Sequence, residues 1–202
     1  MITKLVVASS NQGKLLEFAA LANSEAIANQ QFQLELLPEF AAIPPFDEKA
    51  PTFAENAAGK ALHYSQFSNE YILSDDSGLV VPALGGAPGV RSARYAGPNA
   101  TSEDRNAKLL HEMRDLTGDE RGAHFVCALA AARAGRAIAI ITARADGEIL
   151  PSPRGVAGFG YDPIFYLREL DKTFAELSPN DKNALSHRGK AFRRLFDVAA
   201  TF

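Results

Sequence analysis

The stretch Tyr71-Ile72-Leu73-Ser74-Asp75-Asp76-Ser77-Gly78-Leu79-Val80-Val81-Pro82-Ala83-Leu84-Gly85-Gly86-Ala87-Pro88-Gly89-Val90-Arg91-Ser92-Ala93-Arg94-Tyr95-Ala96-Gly97 organises the whole chain. Its opening apolar run, Tyr71 to Leu73, predicts a buried strand that stops at Ser74 and delivers two adjacent carboxylates, Asp75 and Asp76. Ser77-Gly78 then predicts a turn, and Leu79 to Val81 a second short strand. Glycines, prolines and two arginines, Arg91 and Arg94, crowd the residues that follow. Carboxylates at a strand end beside guanidinium groups suit a divalent cation and a phosphorylated ligand, because magnesium takes one or two carboxylates plus phosphate oxygens and arginine binds phosphate bidentately. Asp-Asp-Ser-Gly is equally good turn chemistry, so the rest of the chain has to decide.

At 202 residues, 47% hydrophobic and 22% charged, the chain suits one domain spanning 1–202 with a real core. A net charge of −3 argues against nonspecific binding to nucleic acid but leaves room for a small anion. The single cysteine, Cys127, lies in an apolar run, which predicts a buried inert thiol and excludes an intramolecular disulfide. The apolar run at the start is too short for a signal peptide, and no stretch reaches membrane-span length, so a cytoplasmic location is expected.

Taken in order, Leu5 to Ala8 reads as a strand, Ser9 to Lys14 as a loop, and Leu15 to Leu21 as a helix. A loop feeding a helix start is a ready anion site, with Lys14 in reach. It is not a Walker A motif, since Ala8 and Leu15 stand where Gly and Ser or Thr would be needed. Residues 23–31 read as a polar turn, Phe32 to Leu37 as a strand, and Pro38 to Pro51 as an irregular loop bearing Asp47 and Glu48. Thr52 and Glu55 form a capping box for a helix reaching about Phe67. One face carries Phe53, Ala57, Ala61 and Tyr64; another carries Asn56, Lys60 and His63 at i, i+4, i+7, a stripe that faces either solvent or a cleft.

Thr101 and Asp104 start a further helix. His124–Arg133 and Ala137–Ala145 predict a hairpin, and Asp146-Gly147 a second tight turn leading to Glu148-Ile149-Leu150. Residues 151–163 form a second glycine-rich loop, on which Phe159 and Tyr161 read either as exposed rings for stacking on a base or as anchors to the core. Ile164 to Tyr166 is a strand, Ser178-Pro179 a helix start, and a basic cluster including Lys182, His187 and Arg188 precedes a final amphipathic helix.

Five motifs thus stand in order along nearly the whole chain: Ser9-x-Asn11-x-x-Lys14-x-x-Glu17; Thr52-Phe53-Ala54-Glu55-Asn56-Ala57; the Asp75 to Tyr95 block; Gly158-Phe159-Gly160-Tyr161-Asp162-Pro163; and Ser186-His187-Arg188-Gly189. Together they resemble the inosine triphosphate pyrophosphatase family, enzymes for non-standard purine nucleoside triphosphates. The resemblance implies an α/β fold with a central elongated mixed sheet flanked by helices and a cleft between two lobes. It implies Mg²⁺-dependent hydrolysis of XTP, ITP and dITP to the monophosphate and pyrophosphate by a cytoplasmic homodimer. By matching position, Ser9, Ser10, Asn11, Gln12, Gly13 and Lys14 would bind the triphosphate. Asp76 would be general base and metal ligand, Ser77 would lie on the substrate, and Phe159, Gly160, Tyr161, Asp162, Lys182, His187 and Arg188 would contact the nucleotide. The family's second metal-binding acid falls at Asp47, with Glu48 adjacent. Two alternatives stand beside this: a phosphomonoesterase, whose D-x-D signature the adjacent Asp75 and Asp76 do not match, and a nucleotide-binding sensor without turnover.

Overall fold

A computed structural model describes residues 3–22 and 32–199; the predicted turn at 23–31 lies outside the described residues. Among the described residues seven strands form one mixed sheet in the order β2-β1-β3-β4-β5-β6-β7. They are β1 (Thr3–Val7), β2 (Phe32–Leu36), β3 (Tyr71–Val80), β4 (Gly122–Arg133), β5 (Arg136–Ile149), β6 (Phe165–Leu167) and β7 (Lys172–Thr173). β1 pairs in parallel with both β2 and β3, and every later pairing is antiparallel. The α-helices among the described residues are α1 (Gln12–Ala22), α2 (Phe53–Tyr64), α3 (Ser102–Glu112), α4 (Pro179–Leu185) and α5 (His187–Ala199).

Strand alternation builds the two faces. On one, Leu5, Val7, Leu73, Cys127 and Leu129 bury against Phe18 and Leu21 of α1 and Phe192, Leu195 and Phe196 of α5. On the other, Ala128, Ala130 and Ala132 lie against Ala57 and Ala61 of α2, while Val6, Ala8 and Ile72 meet Tyr64. The alanines let helix and sheet approach closely. A third cluster, around Phe125, Phe165 and Phe174, fills the β6 end.

Thr52 and Thr101 both cap their helices, but only Thr101 completes a reciprocal box; the Glu55 carboxylate accepts from the Thr52 hydroxyl and not from its amide. Thr52 Oγ1 accepts from the Glu55 amide, and Thr101 and Asp104 cap each other reciprocally. α2 ends at Tyr64, short of the expected Phe67, with Ser65 as its C-cap.

Two predicted turns do not form. β3 runs unbroken through Asp75-Asp76-Ser77-Gly78, with Ser74 to Val80 paired against Ala130 to His124 of β4. Gly78 serves close approach: a Cβ there would lie 2.3 Å from Ser92 Oγ and 2.6 Å from the Gly89 carbonyl oxygen, where residues 89–94 cross the strand. β5 likewise continues through Asp146-Gly147, paired with His124 and Ala123. A Cβ on Gly147 would lie 2.6 Å from the Tyr166 carbonyl oxygen of β6. The predicted three-strand meander is therefore one long hairpin, closed by Ala134 and Gly135 at positive φ, as a tight two-residue turn requires.

Candidate active site

β1 pairs with β3 only as far as Val7 opposite Leu73. Beyond it the chain leaves through Ser9 to Asn11 into α1, and the edge of β3 from Ser74 onward opens into a cleft of about 390 Å³. Crevices at the carboxyl ends of parallel strands are where α/β sheets take ligands. Asn11 caps α1 through its side-chain oxygen, which accepts from the Lys14 amide at 3.1 Å. The helix start aims open N–H groups and positive dipole at the cleft.

Because adjacent strand residues point to opposite faces, Asp75 and Asp76 part company. Asp76 faces α2. Its Oδ2 accepts from Asn56 Nδ2 at 3.0 Å and its Oδ1 from the Ser77 amide at 2.9 Å. Burial pushes its carboxyl above the ordinary range; the Lys14 ammonium opposes this and the Glu48 charge adds to it. Lys60 reaches the same side, pairing with Glu48 and donating to the Asp75 carbonyl oxygen at 2.9 Å. Of the polar stripe of α2, Lys60 lines the cleft, Asn56 is buried behind it against Asp76 and Ala50, and His63 bonds the Pro44 carbonyl oxygen.

Asp75 faces α1 and α5. Its carboxylate lies 2.8 Å from Lys14 Nζ and 3.6 Å from Arg188 Nη2, and accepts from Ser77 Oγ at 3.1 Å. Burial works against its charge, but Lys14, Arg188 and Lys60 overcome it and hold the carboxyl well below the usual carboxylate range. Arg188, only 3% exposed, also pairs with Glu17 and donates to Ser77 Oγ at 2.8 Å. Lys182 bridges Glu17 at 2.6 Å and Asp162 at 2.5 Å. His187 stacks on Phe125, with ring centroids 4.7 Å apart. Burial, with Arg188 and Lys182 beside it, drives its imidazole well below the ordinary value, so it is neutral, and its Nδ1 is buried without a partner.

The glycine-rich loop divides its two aromatics. Phe159 is half-buried at the cleft wall, with Lys182 Nζ 4.9 Å from its ring centre and its ring against Gly13. Tyr161 is buried rather than exposed, and its hydroxyl donates to the Ser92 carbonyl oxygen at 2.9 Å, so it anchors the loop.

Ser9, Ser10, Asn11, Lys14, Asp76, Ser77, Phe159, Gly160, Tyr161, Asp162, Lys182, His187 and Arg188 all line the cleft. Gln12, Gly13 and Asp47 are not in that lining; Gly13 lies behind Phe159, in a second pocket of about 280 Å³. Asp47 pairs with exposed Lys49, whereas its neighbour Glu48 enters the cleft. Sequence reasoning assigned no role to Glu17 or Asn56, nor to Arg105, which lines the cleft. The helical polar stripe was the available signal for Asn56.

Among the described residues no three His, Cys, Asp or Glu side chains group to hold a metal by themselves. Magnesium does not require that, since substrate phosphates complete its shell. Asp76 and Glu48 fit such an ion: both line the cleft, and their mutual repulsion is a charge that a cation would relieve.

Fold and cleft define a mixed α/β protein whose cleft, walled by a helix N-terminus, the acids Asp76 and Glu48 and a row of basic side chains, suits a small polyanion. The chain belongs to the Ham1 family, whose family description matches residues 5–198. It is 47% identical over 192 residues to a dITP/XTP pyrophosphatase of Geobacillus kaustophilus, covering 95% of this chain and 92% of that protein. It is 45% identical over 196 residues to the dITP/XTP pyrophosphatase of Geobacter sulfurreducens, covering 97% and 96%. The solved structure of a HAM1 protein from Coxiella burnetii superposes with a TM-score of 0.86 at 39% identity, over 99% of this chain and all of that one. The Staphylococcus aureus Ham1 protein does so with 0.84 at 36%, over 98% and 99%.

Proposed function

We propose that this protein hydrolyses XTP, ITP and dITP to the nucleoside monophosphate and pyrophosphate, with Mg²⁺, as a cytoplasmic homodimer. The observation that carries the reading is the single cleft in which Lys14, Lys60, Asp76 and Glu48 meet His187, Arg188 and Phe159. The relatives' activity and the near full-length match support it.

Magnesium, held by Asp76 and Glu48, would offset phosphate charge and stabilise the leaving pyrophosphate. Lys14, Lys60 and the start of α1 attract the triphosphate and hold it in place. Asp76, its carboxyl raised above the ordinary value by burial, orients a water molecule and takes its proton. The water oxygen bonds to phosphorus as the bridging P–O bond between the α and β phosphates breaks, and the electron pair leaves on pyrophosphate. Phe159 stacks on the base. Arg188 and neutral His187 present donors to O6 of hypoxanthine or xanthine, whereas the adenine 6-amino group would meet donor with donor.

The test is turnover of ITP beside ATP and GTP, with Mg²⁺ or EDTA, resolving orthophosphate from pyrophosphate. IMP and pyrophosphate from ITP, with ATP and GTP nearly inert and EDTA silencing the reaction, is the expected result. Orthophosphate as first product would make the protein a phosphatase, and binding without product a sensor.

A further inference from the structure

Asn56 occupies a position that its residue type does not favour. Asparagine is a poor helix former, and this one sits inside α2, 1% exposed. A buried side-chain amide persists only where its donors and acceptor are satisfied. Here the satisfaction is specific. Oδ1 accepts from the Ala50 amide at 2.9 Å, and Nδ2 donates to the Ala50 carbonyl oxygen at 3.3 Å and to Asp76 Oδ2 at 3.0 Å. The Ala50 backbone therefore dictates which way the amide faces: its N–H must meet Oδ1, which turns Nδ2 toward Asp76. Both amide hydrogens and the oxygen are engaged.

This bracket joins three things that local sequence does not join. Ala50 lies two residues beyond Glu48, in a loop whose prolines deny it regular pairing. Asp76 lies on β3, and Asn56 on the helix between them. One turn further along the same helix, Lys60 pairs with Glu48. The Ser77 amide takes the other oxygen of Asp76, so the carboxylate is held at both oxygens and its remaining lone pairs are left for the cleft.

We propose that Asn56 is a positioning residue for the hydrolysis, its amide setting the orientation of the Asp76 carboxylate and the placement of the Glu48 loop against it. The inference rests on the hydrolase reading above. Only asparagine meets the requirement. Aspartate would keep the bond from the Ala50 amide but set a second carboxylate against Asp76; alanine would free both Asp76 and the loop; glutamine is too long for the same pair of contacts. Neither contact involves Lys14, Phe159 or Arg188, so the effect should fall on the chemical step and leave nucleotide binding largely alone.

Two measurements test this. The first needs no turnover: in ¹⁵N-correlated spectra of the wild-type protein, the Asn56 side-chain NH₂ pair should be resolved and slow to exchange. Asp76→Asn should shift one of its two protons upfield, because a bond to a carboxylate is lost. A pair indifferent to Asp76→Asn overturns the proposal whatever the protein's substrate proves to be. The second uses ITP as substrate. Asn56→Ala should lower kcat about 10²-fold, the scale of a roughly 1 Å misplacement, with pyrophosphate still the product. KM should stay within about threefold, the signature of an interaction used in the transition state. Asn56→Asp should lower kcat further. A variant that melts earlier but keeps the wild-type kcat would make Asn56 a structural residue only, and a loss confined to KM would make it a binding residue; either overturns the proposal. If Asn56→Ala does not fold, isosteric Asn56→Asp and the spectroscopic arm carry the decision.

Discussion

Glu17 offers the sharpest energetic test, because one buried carboxylate serves two cations of the basic wall. Its Oε1 lies 2.6 Å from Lys182 and its Oε2 pairs with Arg188, with all three side chains at most 13% exposed. Glu17→Gln keeps the shape but turns an amide NH₂ toward one of the two cations, replacing an ion pair with donor against donor. Removing one partner of a buried pair costs about 3–5 kcal/mol. Lys182 retains Asp162 and Arg188 retains Asp75 and Ser77, so the lower end, about 3 kcal/mol, is expected. At about 2–4 °C per kcal/mol for a chain of this size, the melting temperature should fall by about 6–12 °C. The pH dependence has a definite sign. Burial raises the Glu17 carboxyl, but Arg188 and Lys182 together bring it below its ordinary value of 4.5. A carboxyl depressed by folding contributes fully above its unfolded pKa and loses that contribution as pH falls through the folded one. The gap between wild type and Glu17→Gln should therefore be full at pH 6–8 and shrink progressively below about pH 4.5. Calorimetry or thermal unfolding across this range reads it directly. A gap under about 1 kcal/mol at neutral pH, or one unchanged at pH 3.5, would refute the argument.

Other expectations follow from the same geometry. Asp47→Asn should leave turnover within about twofold of wild type, whereas Glu48→Gln should lower kcat/KM at least about tenfold at fixed Mg²⁺ and recover in part at higher Mg²⁺; the reverse ranking would return the second acid to Asp47. Phe159→Ala should raise KM for ITP about 5- to 150-fold through loss of a stack worth about 1–3 kcal/mol, with Phe159→Tyr restoring most of it; an unchanged KM would make the ring an anchor only. Cys127, whose thiol burial pushes up to about 12, should resist iodoacetamide at pH 8 in the native protein and react in urea, as read by mass spectrometry. Rapid native labelling would contradict its placement between sheet and helices.

What could be read from the chain ahead of its fold divides by how local the determinant is. Caps were legible because Thr52, Thr101 and Ser178 act on amides three residues away. Cys127 was legible because an apolar run buries itself whatever covers it. Gly78 and Gly147 misled, because a glycine signals either a bend or a missing Cβ, and the atoms that demand the missing Cβ belong to Ser92 and Tyr166, remote in sequence. Tyr161 stayed open between stacking and anchoring for the same reason, since the partner that decides it is the Ser92 carbonyl oxygen, remote in sequence. The choice between Asp47 and Glu48 was open because an irregular loop has no periodicity to say which side chain turns inward.

The unbroken course of β3 changes what the adjacent acids can do. Had the strand ended at Ser74, a turn would have set Asp75 and Asp76 side by side, and two close carboxylates would compete for one proton or share one ion. In a strand they point to opposite faces, and their surroundings drive their proton affinities apart. Asp75 is held far down among Lys14, Arg188 and Lys60, while Asp76 is lifted by burial and by Glu48. A permanently charged acid that organises the basic side and a more basic acid that faces the water side are complementary roles. The open edge of β3 beyond Val7 lets Asp76 line the cleft, while Asp75, buried on the other face, acts on it through Lys14 and Arg188, which line it. Exchanging the pair, Asp75→Asn against Asp76→Asn, should therefore separate the functions. The first should disturb stability and the seating of Lys14 and Arg188, and the second should stop the chemical step while nucleotide still binds.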